Sequence, residues 1–166
     1  MKFLEKAANI AVIVGVVVFI TVVVTDKLAP HATKPALSDP ARQLLGKTIS
    51  LPGTQLSQSR NSLVLVLSTA CHFCKASLPF YKELASKSLG RVDVVAVLPQ
   101  PLSEAQDYIQ QAAVPATRVV SADLATIGVS GTPTVLLLDR TGKVQDVWVG
   151  QLDESRQKQV LSRVLL

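Results

Sequence analysis

The sequence predicts an α/β domain in which a mixed sheet is flanked by helices on both faces, preceded by one N-terminal transmembrane helix. Three observations support this prediction. A charge-free apolar stretch occupies residues 7–25, strand-like and helix-like patterns alternate over residues 62–120, and a hairpin pattern covers residues 135–149. Alternating strands and helices are typical of parallel pairing, and a closing hairpin adds antiparallel strands.

The apolar stretch at residues 7–25 has close to the ~20 residues that a helix needs to cross a bilayer. A cleaved signal peptide is the alternative, but its cleavage site needs two small residues separated by one. Lys27 stands two residues before Ala29, and Pro30 stands two residues before Ala32, so neither place fits. We therefore expect residues 1–25 to be an uncleaved, single-pass anchor in the cell membrane, with the following domain on the periplasmic or extracytoplasmic side.

The stretch that follows predicts a spacer between the anchor and a folded domain. Residues 26–44 are polar and are interrupted by three prolines, Pro30, Pro35 and Pro40. Such a composition favours an extended tether. The folded domain is predicted to cover residues 45–166.

The charge balance excludes one class of partner. The formal net charge is +5, but the lysines and arginines are spread along the chain and do not cluster with aromatic residues. A nucleic-acid site needs such clusters. We therefore expect no nucleic-acid partner.

The first half of the sheet is predicted from short apolar runs. Residues 47–51 are predicted to form a first strand, which Pro52 and Gly53 end. Residues 63–67 alternate too little to be half exposed, and residues 92–98 show the same pattern. Both runs therefore predict strands that are buried on both faces.

Two helices are predicted between and after these strands. The first covers residues 75–89, with apolar residues at helical spacing and Gly90 as its stop. The second covers residues 103–112, where Ser103 and Gln106 have the spacing of a capping box.

The last third of the chain predicts the rest of the sheet and a closing helix. Residues 117–120 form a short strand and residues 135–138 a central one. The turn at residues 139–142 leads into a hairpin strand at residues 143–149. Asp153 is predicted to cap the final amphipathic helix.

A pair of cysteines marks the predicted junction of the first buried strand and the first helix. Cys71 and Cys74, the only cysteines, enclose His72 and Phe73, and Lys75 follows. Backbone N–H groups and the dipole at a helix N-terminus favour thiolate, and Lys75 and a protonated His72 add positive charge. We assign Cys71 as the attacking thiol and Cys74 as the resolving thiol.

The residues between and beyond the cysteines allow more than one interpretation. His72 either tunes the thiolate or is an exposed polar residue, and Phe73 is predicted to be an exposed contact for a client. A structural zinc site needs four ligands, and only His31 and His72 accompany the two thiols. We therefore expect neither a metal nor another cofactor.

Pro133 is the second candidate feature of the site. A proline at the start of a central strand removes a ladder hydrogen bond. A cis Thr132–Pro133 peptide bond would explain its position and would leave the backbone of Thr132 free to pair with an extended client. An ordinary loop proline before a strand is the alternative.

Together these features resemble the thioredoxin superfamily, and particularly its membrane-anchored, extracytoplasmic thiol-disulfide oxidoreductases of the TlpA/ResA type. The resemblance covers most of residues 46–166. It is carried by the anchor, the Cys71–Cys74 motif with Lys75, Pro79 five residues after Cys74, residues 129–134, and the final hairpin over residues 138–150. It implies a thioredoxin-like fold and a cis peptide bond before Pro133, packed against the dithiol.

Two residues depart from the family's pattern. Ala70 stands where a Trp usually precedes the first cysteine, and Leu65 stands where thioredoxin keeps a buried acid. The sequence therefore does not identify a proton acceptor for Cys74.

The sequence thus predicts a membrane-tethered oxidoreductase that exchanges disulfides with protein thiols or disulfides and is served by an upstream redox partner. The resemblance favours a reductase, whereas His72 favours an oxidase. A peroxiredoxin-like peroxidase is one alternative, although Ser68 and Val64 stand where such enzymes need Thr and Pro. A copper-binding metallochaperone, with Cu(I) on Cys71 and Cys74 and His72 as an optional third ligand, is another.

Overall fold

The computed structural model describes residues 43–166. The predicted membrane anchor and nearly all of the predicted tether lie outside these residues. Within residues 43–166, no helix is both long enough and apolar enough to span a bilayer.

The described chain forms one five-stranded sheet with three helices. The strands are β1 (Ser62–Val66), β2 (Asp93–Leu98), β3 (Arg118–Ser121), β4 (Thr134–Leu138) and β5 (Val144–Val149), and the helices are α1 (His72–Ser88), α2 (Leu102–Gln111) and α3 (Glu154–Leu165). The strand order is β3-β2-β1-β4-β5. The predicted mixed α/β sheet with flanking helices is therefore confirmed.

The pairing of the strands decides which loops lie next to each other. Strand β1 pairs in parallel with β2 and antiparallel with β4, so that Val66 at the end of β1 lies opposite Thr134 at the start of β4. The loop before β4 and the loop after β1 therefore lie at the same edge of the sheet. This edge carries both cysteines.

The sheet separates two groups of buried side chains. Leu63, Leu65 and Leu67 belong to the same cluster as the buried residues of all three helices. Val64 and Val66 belong to the opposite cluster, whose other cover comes from segments 44–51 and 122–129. Within residues 43–166, the helices α1, α2 and α3 thus cover one face of the sheet, and segments 44–51 and 122–129 cover the other.

The predicted first strand is wrong. Within residues 47–51, only Thr48 forms a bridge, with Lys143. The Ile49 N–H donates to the carbonyl of Gly142 at 2.9 Å. The backbone of the segment therefore bonds to the hairpin turn and the start of β5 while its apolar side chains pack on the sheet, and it does not extend the sheet.

The predicted capping box is wrong as well. Pro101, not Ser103, precedes α2, and no side chain caps the first turn of this helix. Ser103 lies inside the helix because the chain already passes from the extended backbone of Pro101 (φ −51°, ψ 145°) into the helix at Leu102. By contrast, the predicted cap of α3 is confirmed, since the Asp153 carboxylate accepts a hydrogen bond from the backbone N–H of Arg156 at 2.9 Å.

Candidate active site

The first cysteine stands where the chain passes from β1 into α1. Cys71 is the N-cap of this helix, with extended backbone angles (φ −86°, ψ 113°). Its N–H donates to the carbonyl of Ser68 and its carbonyl accepts from the N–H of Lys75, both at 3.2 Å. The helix therefore begins at His72, three residues earlier than the sequence pattern indicated.

The thiol of Cys71 takes the place of the oxygen that usually caps a helix. Its Sγ accepts a hydrogen bond from the backbone N–H of Cys74 at 3.1 Å. This donor is one of the N–H groups that a helix leaves unpaired in its first turn. A thiolate is a stronger acceptor than a thiol, so this contact favours the nucleophilic form of Cys71.

The loop before β4 supplies a second contact to the same sulfur. The Cys71 thiol donates to the carbonyl of Thr132 at 3.4 Å, and the structure has a cis peptide bond between Thr132 and Pro133. Pro133 is buried, whereas Thr132 is half-buried. The geometry thus brings the two sequence-predicted parts of the site, the cysteine pair and Pro133, to one place.

The two cysteines differ in accessibility. Cys71 is partly exposed, whereas the side chain of Cys74 is completely buried at the first turn of α1. Both are free thiols in this structure. A reagent or client in solution can therefore reach Cys71 but not Cys74.

Opposing effects act on the two thiols. Partial burial acts to raise the pKa of Cys71. Hydrogen bonds from the side chains of Cys74 and Thr132 and from the backbone N–H groups of Cys74 and Phe73 outweigh it, so this pKa lies below its ordinary value. Burial, together with the hydrogen bond to Cys71, raises the pKa of Cys74. At neutral pH, Cys71 is thus the better nucleophile and Cys74 is held as a thiol.

Three further residues predicted for the site lie on its surface. His72, Phe73 and Lys75 are all exposed, and the rings of His72 and Phe73 meet edge to face with centroids 5.8 Å apart. None of these side chains is among the groups that lower the pKa of Cys71. Phe73, at 55% exposure, gives the site an apolar rim.

A polar network that the sequence did not indicate holds the loop before Cys71. The Gln100 side chain donates to Ser68 Oγ at 3.0 Å and accepts from the Thr69 N–H at 3.4 Å. Thr69 Oγ1 donates to Glu104 at 2.8 Å. Because β1 and β2 are parallel, Gln100 just after β2 lies beside the loop after β1. The expected parallel pairing of these two strands is the sequence feature that could have indicated this network.

Metal ligands are scarce around the dithiol. Within residues 43–166, no group of three or more His, Cys, Asp or Glu side chains could hold a metal ion. His31, the remaining histidine considered as a ligand, lies outside the described residues.

Comparison with known families supports the resemblance seen in the sequence. A family model described as a thioredoxin-like domain matches residues 54–165, which include both cysteines and Pro133. Among curated proteins, none matches this chain significantly.

Several solved structures share the fold. A thiol-disulfide isomerase from Corynebacterium glutamicum is 18% identical, with a TM-score of 0.54, and the match covers 74% of this chain and 95% of that protein. StoA from Bacillus subtilis is 15% identical (TM-score 0.52, 70% and 96% covered). A thiol:disulfide interchange protein of the thioredoxin family from Chlorobium tepidum is 18% identical (TM-score 0.52, 72% and 97% covered).

The two pKa shifts predict selective alkylation. In the reduced native chain, iodoacetamide is expected to label Cys71 and to leave Cys74 unmodified, because only Cys71 is exposed and its thiolate is stabilised. The midpoint of the pH–rate profile of Cys71 should lie below that of the same chain unfolded in denaturant. Peptide mass spectrometry after a short pulse of reagent assigns the label, and equal labelling of both cysteines in the native chain would contradict the assignment.

Proposed function

We propose that this chain, which belongs to the family of thioredoxin-like domains, is an enzyme that exchanges disulfides with protein clients. One observation carries the proposal: the partly exposed Cys71 sulfur caps a helix, with a buried second thiol at Cys74 one turn further on. An accessible nucleophile beside a protected resolving thiol is the arrangement that two-step disulfide exchange requires.

In the first step, the Cys71 thiolate attacks one sulfur of a client disulfide. A bond forms between Cys71 Sγ and that sulfur, the client's S–S bond breaks, and the second client sulfur leaves as a thiolate. The Cys74 N–H, at 3.1 Å from Cys71 Sγ, stabilises the attacking thiolate. The Thr132 carbonyl faces the same sulfur and is available to an approaching client backbone.

In the second step, Cys74 resolves the mixed disulfide. Cys74 loses its proton, its thiolate attacks Cys71 Sγ, and the bond between Cys71 and the client breaks. The client leaves with both of its sulfurs reduced, while the chain keeps the Cys71–Cys74 disulfide. An upstream dithiol partner must then supply two electrons to restore the reduced enzyme.

Reduction of clients is the direction we propose. A dithiol becomes strongly oxidising when its reduced form is stabilised, above all when charge or dipole holds the attacking cysteine as a thiolate. Here burial opposes that stabilisation, and the main groups that lower the pKa of Cys71 are the Cys74 and Thr132 side chains and two backbone N–H groups. Limited stabilisation of the thiolate favours a reducing dithiol.

The location we propose is the outer surface of the cell membrane, in the periplasm or its extracytoplasmic equivalent. The support is the charge-free apolar stretch of residues 7–25 and the proline-containing tether of residues 26–44. A tether of this kind would let the domain reach clients near the membrane.

Substitution of each cysteine tests the exchange mechanism. Cys71→Ser is expected to reduce turnover of a model peptide disulfide to background, because no accessible nucleophile remains. Cys74→Ser should still attack but should accumulate a mixed disulfide, which non-reducing electrophoresis and mass spectrometry detect. Full activity of Cys71→Ser would sink the proposal.

The redox equilibrium of the full chain tests the direction. Its reduction potential, measured against glutathione buffers, is expected to lie nearer the ~−270 mV of thioredoxin than the ~−120 mV of strongly oxidising dithiols. The same measurement on His72→Ala separates the two interpretations of this residue. We expect little change in the potential of His72→Ala, because His72 is not among the groups that stabilise the Cys71 thiolate. A potential of the unchanged chain near that of strongly oxidising dithiols would instead make the chain an oxidase.

Fractionation of expressing cells tests the tether. The full chain should stay with the membranes after washes with high salt and with carbonate, whereas a variant lacking residues 1–25 should be released as soluble protein. Protease added to intact spheroplasts should degrade the domain if it faces outward. Release of the full chain by salt alone would contradict membrane anchoring.

A further inference from the structure

Behind the dithiol, α1 and α2 bury three hydroxyl groups. They belong to Ser77 and Tyr81 of α1 and to Tyr108 of α2, and each oxygen is inaccessible to water. None of them forms a hydrogen bond of ordinary geometry within residues 43–166, although the Ser77 and Tyr81 hydroxyls are neighbours. Leaving a buried polar group unpaired costs about 1–3 kcal/mol, so three such groups in one region need a reason.

Helical geometry places two of these hydroxyls in line with Cys74. Cys74 and Ser77 are three residues apart, and Ser77 and Tyr81 are four apart, so all three share the buried face of α1. Side chains on a helix lean toward its N-terminus, which directs the Tyr81 ring back along this face toward the cysteines. Tyr81 and Cys74 pack in one core cluster, and Tyr108 packs against it from α2.

The titration behaviour of the tyrosines agrees with this arrangement. Burial raises the pKa of Tyr81, the neighbouring Ser77 hydroxyl acts to lower it, and the negative charge of the cysteine sulfurs raises it further. The pKa of Tyr108 is raised for the same reasons. The titratable groups that face Cys74 are therefore Cys71 at the start of α1, Tyr81 on α1 and Tyr108 on α2.

The resolving thiol needs more help than its other polar neighbours give. Hydrogen bonds with the Ser68 backbone and the Thr132 side chain act to lower the pKa of Cys74, but burial outweighs them. Strands β1 and β4 contribute apolar side chains to the cluster around Cys74, including Leu65 and Val135. Burial disfavours the Cys74 thiolate. Resolution of a mixed disulfide nevertheless requires this thiolate, and a hydrogen-bond donor to the charged sulfur is the group that would stabilise it.

We propose that Tyr81 and Ser77 are positioning residues for the second step of exchange. While the client is bound to Cys71 as a mixed disulfide, the hydroxyl of Tyr81, assisted by that of Ser77, donates a hydrogen bond toward the Cys74 sulfur as the Cys74 thiolate forms. The inference rests on the proposed exchange reaction and assigns the stabilisation of its second step. The proton of Cys74 passes to the client thiolate released in the first step, and both hydroxyls keep their own protons. The Cys74 thiolate then attacks Cys71 Sγ, and the client sulfur that is bonded to Cys71 leaves as a thiolate.

Tyr81→Phe in the full chain tests the proposal, since it removes one oxygen and keeps the ring that fills the core. Single-turnover reaction with a model peptide disulfide, quenched with acid, separates formation of the mixed disulfide from its resolution. Resolution at pH 7 is expected to slow about tenfold, the effect of losing about 1.4 kcal/mol of stabilisation of a charged group. Because the lost donor favoured the charged form, the pH midpoint of resolution should rise, and the rate should recover at higher pH.

Two matched comparisons distinguish this role from a loss of packing. Ser77→Ala should shift the pH midpoint in the same direction, whereas Ser88→Ala, which removes a buried hydroxyl of α1 already paired with the Leu84 carbonyl at 2.6 Å, should not. In a Cys74→Ser background, Tyr81→Phe should leave the attack by Cys71 unchanged.

The outcomes separate the two proposals. An unchanged rate and pH midpoint of resolution in Tyr81→Phe would overturn the role of this hydroxyl, as would equal slowing of both steps without a pH shift. Failure of the exchange proposal itself would be detected in a different experiment, as activity that persists in Cys71→Ser.

Discussion

The hydrogen bond from the backbone N–H of Cys74 to the sulfur of Cys71 is the contact on which the site depends. It exists because the chain leaves β1 through a short loop and begins α1 with a cysteine as its cap. The same bond starts the helix and stabilises a thiolate, so the local fold and the reactivity have one cause. One turn of this helix then places Cys74 on the buried face, within reach of Cys71 but away from solvent.

The direction of β4 completes the site. Because β4 runs antiparallel to β1, its first residues lie beside the last residues of β1, and the segment before β4 reaches the cysteines. A parallel β4 would place Thr132 and Pro133 at the opposite edge of the sheet. The parallel neighbour β2 adds Gln100 at the same edge, where it holds Ser68 and Thr69. The loop that carries Cys71 is therefore fixed by three different strands.

The sequence predicted the parts of this structure that depend on local pattern. The buried strands follow from apolar runs such as residues 63–67, and the cap at Asp153 follows from its place before an amphipathic helix. Errors arose where distant contacts decide. Residues 47–51 have a strand-like composition, yet only Thr48 finds a partner. The capping error was local instead, because the helix begins at Leu102 with Pro101 as its N-cap and thereby includes Ser103. The network around Gln100 was not visible because its members are about 30 residues apart and meet only through strand pairing.

The geometry also separates two roles that a short cysteine motif combines. The groups that stabilise the Cys71 thiolate are backbone N–H groups, the second thiol and Thr132, all fixed by the fold. The exposed His72 and Phe73 instead form the rim that a client would meet, where an apolar ring offers contact area. Variation at these two positions would then change which clients bind, whereas the buried surroundings of Cys74 would govern how fast a bound client is released. Under the proposed exchange reaction, reactivity and client choice would vary separately, because buried groups at the start of α1 would determine the first and the exposed rim the second.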